Sequence, residues 1–164
     1  MDLSAWFRGQ LQSSADAFIW AVEQVPPDRR EIAPPSGFGE WNIARHIFHM
    51  LHYEREAALP HMQHWTDGTL DLTQIFHHYD EDGVWQNGDH TIDTMLREFQ
   101  QVRTEQIALL PNFTEQLWQE VRPSGWGPKN MNWIVTKTFQ HTTDHTNTIL
   151  QMALFWDYAL RDQS

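Results

Sequence analysis

The 164-residue sequence contains no cysteine. A disulfide framework, a thiolate metal site and a cysteine nucleophile are thereby excluded. Any metal must be held by His, Asp or Glu, and thiol chemistry would need a thiol from outside. Basic residues are scarce as well: 11 Lys and Arg stand against 22 Asp and Glu, a formal net charge of −11. Nucleic-acid binding rests on Lys and Arg contacts to phosphate, so neither nucleic acid nor an anionic membrane is an expected partner. No stretch approaches the ~18 uninterrupted apolar residues of a membrane span, and Met1-Asp2-Leu3-Ser4 lacks the basic n-region of a leader. A cytoplasmic protein is the expectation. Strand signals are almost missing too, since no convincing run alternates apolar and polar residues.

What is present is helical spacing. Leu3, Phe7, Leu11, Phe18, Ala21, Val22 and Val25 share one face of a first helix, stopped by Pro26-Pro27. A second helix starts at the capping residue Asn42 and runs to about Leu59, where Pro60 is expected to end it. Residues 60–90 form a long connection, with a short helix expected near Leu70–Tyr79; long ordered connections are often functional. A third helix covers about Thr91 to Leu110, and a short element lies near Glu115–Val121. The longest helix runs from about Asn130 to Arg161. The length suits a single domain over residues 1–164, and the pattern predicts an all-α four-helix bundle with a long connection between helices 2 and 3.

Ten His and nine Trp are a surplus whose placement has to be read. On the last helix, Ile134, Ile149, Met152, Phe155 and Trp156 share the side that must face the core. Thr138, His141, His145 and Thr148 interrupt that side. Burying an unpaired imidazole or hydroxyl costs roughly 1–3 kcal/mol, so something must satisfy these groups. His141 and His145, four apart, present both rings on one face at a spacing that suits a single ion. The plainer alternative is two core histidines, each bonded to a neighbour.

The second helix offers His46, His49 and His52. Periodicity places His46 nearest the apolar face, His49 further round and His52 outermost. Glu54 falls near the centre of that face and Arg103 points inward on the third helix. A Glu54–Arg103 pair and a role for Glu54 beside a metal are equally open. Trp6, Trp20, Trp133 and Trp156 are expected between packed helices, and Trp85 and Trp126 in loops. His61, His64, His77, His78 and His90 are expected at the surface or in loops. Leu150 and Leu154 lie off the core face, which suggests a homodimer.

The stretch Trp41-Asn42-Ile43-Ala44-Arg45-His46-Ile47-Phe48-His49-Met50 resembles the DinB/YfiT-like family, in which a Trp opens the second helix and a His eight residues later is a metal ligand. That position is His49 here. The family's other two ligands form an H-x-x-x-H pair on the last helix, matched by His141-Thr142-Thr143-Asp144-His145. Asn42 replaces the usual Ser cap. The resemblance implies a divalent metal (zinc, nickel, iron or manganese) on His49, His141 and His145, with His46 and His52 as neighbours or surface residues. It further implies a homodimer and a metal-dependent enzyme acting on a small-molecule substrate. Its chemistry would be that of a hydrolase, or of a transferase or isomerase using a low-molecular-weight thiol. Glu54 is the preferred general base and Asp144 the second candidate. A metal-binding or stress-associated module without turnover is the alternative.

Overall fold

The computed structural model describes residues 2–68 and 80–161, and these are all-α, with a single isolated antiparallel bridge between Arg122 and Lys129. In chain order the helices are α1 (Leu3–Gln24), α2 (Ile43–Tyr53), α3 (Leu59–Asp67), α4 (Glu81–Asn87), α5 (Ile92–Leu109), α6 (Glu115–Gln119) and α7 (Met131–Arg161). Their starts follow from side-chain caps. Asp2, Asn42, Thr91 and Thr114 each accept the backbone N–H three residues on, satisfying one donor that the helix itself leaves open.

Pro60 does not end the second helix. A π-helical turn, Glu54–Ala58, joins α2 to α3 in one rod. In that turn the Leu59 N–H reaches back five residues to the Glu54 carbonyl. Pro60, which has no N–H to donate, then stands in the first turn of α3, where none is required. The expected boundary at Leu59 is thus a change of hydrogen-bond register.

α1 packs on α7 and α5, and the α2–α3 rod packs on α5 and α7. Two apolar clusters fill the interior. One gathers Phe18, Val22, Ile47, Met50, Phe99, Ile149, Met152 and Trp156. The other gathers Phe7, Leu11, Met62, Trp65, Trp118, Met131 and Ile134. At roughly 1.5–3 kcal/mol for each fully buried large side chain, these supply the main drive to fold. Buried polar residues fall between the clusters along α1 (Ser14), the rod (Glu54), α5 (Arg103, Gln106) and α7 (Thr138, Thr142, Thr146).

Several side chains depart from their expected places. Phe155 is half exposed and Thr148 only partly buried, because the core line of α7 runs through Thr138, Thr142 and Thr146. Trp6 and Trp20 are exposed rather than packed between helices. His61 is fully buried: its Nδ1 lies 2.6 Å from the Ala57 carbonyl and its Nε2 accepts the Gly125 N–H. His52 is buried as well, stacked on Phe48. Leu154 is exposed and Leu150 half-buried. The helix expected near Leu70–Tyr79, with His77 and His78, lies outside the described residues. Among the described residues no helix is long and apolar enough to cross a membrane.

Candidate metal centre

α2 and α7 meet along a seam of imidazoles. The cap at Asn42 fixes where α2 begins, and its amide also donates to the Glu31 carbonyl, tying down the preceding loop. Seven residues past that cap, His49 faces His141 with the two Nε2 atoms 3.1 Å apart. His145, one turn beyond His141, has its ring centre 4.8 Å from that of His141 and 4.9 Å from that of His49. His49, His141 and His145 each offer a ring nitrogen within 4.8 Å of the others, and all three rings are partly buried. The Nδ1 of His145 lies 2.9 Å from that of His46, so one of the two donates and the other accepts.

Around the seam stand aromatic walls. Trp41 lies 4.9 Å from the His49 ring and is nearly parallel to His145, and Tyr53 stands 4.3 Å from His141. A cavity of about 320 Å³ opens beside it, lined by Phe38, Gly39, Glu40, Trp41, His46 and His145. That volume is near the lower end for small-molecule sites, roughly 300–1,000 Å³.

Burial, reinforced by like charge, keeps His46, His141 and His145 neutral. His46 falls from the usual 6.5 to about 4, through loss of hydration first and then through His49 and Arg45. His141 falls to about 3, again through burial, then through His49 and Lys137. His145 also falls to about 3, through burial and then through the surrounding imidazoles. A neutral imidazole is the form whose lone pair binds a metal.

The donor set fits a divalent ion. The Nε2 atoms of His49 and His141 already face each other 3.1 Å apart. The group contains only imidazole nitrogens, with no carboxylate among them. Such a set accommodates zinc, nickel, iron or copper without choosing between them.

Glu54 has other partners. Arg103 donates to its Oε1 at 2.6 Å and to Thr142 Oγ1 at 2.8 Å, and all three residues are buried. Burial pushes the Glu54 carboxyl up while Arg103 pulls against it. Of the two readings of Glu54 left open by the sequence, the pair with Arg103 is the one present. Asp144 is exposed, and its backbone carbonyl accepts from Thr148. The carboxylate that does meet the imidazoles is Glu81, at the start of α4, with both oxygens 2.9 Å from His49 Nδ1. In the sequence it sits within Asp80-Glu81-Asp82, which reads as a solvated acidic turn.

A Trp at the entrance of the second helix, a His eight residues later and an H-x-x-x-H pair on the last long helix therefore converge in space as well as in sequence. The profile of the DinB superfamily matches residues 10–149. The chain belongs to the DinB superfamily. No curated protein and no solved structure matches it. The DinB match includes all three imidazoles, the α2–α3 rod and α5, with parts of α1 and α7.

Proposed function

We propose that this DinB-superfamily protein binds one divalent metal ion through His49, His141 and His145 and acts as a metal-dependent hydrolase on a small molecule. The observation that carries the reading is the three-imidazole group itself: three protein nitrogens within reach of one another, with no fourth ligand in the group among the described residues. Three ligands with a remaining position characterise catalytic rather than structural metal sites. A metal held there supplies Lewis acidity, lowering the pKa of water and polarising a carbonyl. The protein's own part is to keep His141 and His145 neutral, to stack Trp41 against His145, and to offer the adjoining cavity to an apolar part of the substrate. Glu54, closed in by Arg103 and Thr142, is better suited to holding the helices together than to moving a proton.

The arginines that an anionic thiol cofactor would need are engaged elsewhere. Arg45 pairs with Glu81 and Asp82, Arg55 with Glu98 and Arg103 with Glu54, while Arg97 bonds within its own helix. One observation favours the thiol reading: Lys137, a turn before His141, is close enough to help hold that ring neutral, and so could attract an anion.

Two steps test the proposal. Elemental analysis of the purified protein should find one divalent metal per chain, lost in His145→Ala. Metal-loaded protein should then cleave activated esters or amides without added thiol, and chelation should abolish the cleavage. Turnover only when a low-molecular-weight thiol is added would replace the hydrolase by the transferase. Full loading with no turnover on either class would leave a binding module.

A further inference from the structure

Glu81 lies on a helix that contributes none of the three imidazoles, yet both of its carboxylate oxygens converge on one ring nitrogen of His49. An ionised carboxylate can only accept, so His49 Nδ1 must carry the hydrogen. The lone pair of a neutral His49 is then confined to Nε2, the atom that faces His141. The two nitrogens point from different edges of the ring, so Glu81 sits behind His49 rather than among the ligand atoms.

Glu81 is itself held. The Arg45 guanidinium lies 2.6 Å from its Oε1 and donates through the other amino group to Asp82 at 2.6 Å. Arg45 is buried among the rings of Trp41, Phe48 and Trp85, with centroids 4.8, 5.2 and 5.5 Å from its central carbon. Asp80 caps α4 by accepting the Gly83 N–H, which fixes the turn from which Glu81 projects. A salt bridge serving only to dock α4 would need Arg45 and a carboxylate. It would not need that carboxylate centred on the back of a metal-facing imidazole.

We infer that Glu81, clamped by Arg45, is the positioning residue that fixes the tautomer and ring orientation of His49 for metal binding. The inference rests on the three-histidine reading for its metal role, and on hydrogen-bond geometry alone for the tautomer. Partners of this kind typically change metal affinity by about 10–100-fold.

The test has two readouts on the full-length protein. In the metal-free wild type, ¹⁵N NMR of the His49 ring should show Nδ1 protonated and Nε2 bare. Zinc titration against a competing chelator should show Glu81→Ala weakened by about 10–100-fold. Glu81→Gln, whose amide oxygen still accepts, should fall between Glu81→Ala and wild type. It also serves as the folded check if Glu81→Ala loses helicity. Asp82→Ala, which removes a carboxylate from the same arginine but not from His49, should stay within about twofold of wild type. A neutral ring with its proton on Nε2 and Nδ1 bare overturns the inference. So does wild-type zinc affinity in both folded Glu81 variants. A wild type that binds no zinc but keeps the expected tautomer overturns the metal role and, separately, the proposed function, while upholding the hydrogen-bond assignment.

Discussion

Two polar clusters share neighbouring strips of α7, one residue out of register. Thr142 belongs to the belt with Glu54 and Arg103, while His141 belongs to the imidazole seam. The belt lies between two apolar clusters, and its acid is paired with a buried cation. The seam is only partly buried and gathers three imidazoles within reach of one another. An ion pair enclosed by apolar packing ties helices together, and breaking it strands a buried charge. Imidazole nitrogens gathered within reach of one another, where solvent can enter, are what a ligand completes. The belt therefore serves stability, and the seam is the site proposed for the metal.

The sharpest way to break that division is to cut the belt. Glu54→Ala leaves a buried guanidinium unpaired and should cost about 3–5 kcal/mol in urea unfolding. The double replacement Glu54→Leu with Arg103→Met should restore much of that loss, since a well-packed apolar pair often equals a buried ion pair. Metal bound per folded molecule should be unchanged in both. Loss of metal from a folded belt variant would mean that the two clusters are one functional unit.

Changes in the seam should show the converse. His141→Ala should lower metal affinity by more than about 100-fold, beyond the range for residues that merely support a ligand. It should leave the metal-free melting temperature within a few degrees of wild type, because the ring it removes is only partly buried. Differential scanning calorimetry with and without metal separates the two effects.

Acid should act through the same rings. His46, His141 and His145 stay neutral in the fold down to about 4, 3 and 3, whereas unfolded histidine takes up protons near 6.5. Below that value and down to about pH 4 the unfolded chain therefore binds more protons, and metal-free stability must fall as pH falls. Above about pH 8 these histidines contribute almost no slope. The variant with Gln at positions 46, 141 and 145 should have a flatter acid limb in melting temperature against pH. The smallest effect belongs to Asp144→Asn, which should leave metal affinity within about twofold, as expected for an exposed carboxylate.

Much of this was legible before the structure, and the failures have local causes. Helical spacing and capping residues marked out the long segments, because apolar periodicity and N-caps are properties of neighbouring residues. Pro60 misled because a π-turn is a hydrogen-bond register, invisible to a rule that reads proline as a stop. Of Thr138, His141, His145 and Thr148, the polar residues expected on the core side of α7, Thr138 is buried and the other three are partly buried. The core line nevertheless passes through Thr142 and Thr146, about one residue away from the expected phase. Periodicity leaned toward His46, and His46 is indeed buried against the seam, behind His145. The choice of His49 came from family spacing. Glu81 could not be found at all: its partner is 32 positions away, and only the docking of α4 against α2 brings the two together.

The most direct measurement is inductively coupled plasma mass spectrometry on the purified wild type and on His145→Ala, both verified as folded by circular dichroism. The account predicts about one divalent metal per wild-type chain and less than a tenth of that in the variant, as expected when one of three ligands is removed. Equal metal content in the two proteins would contradict it.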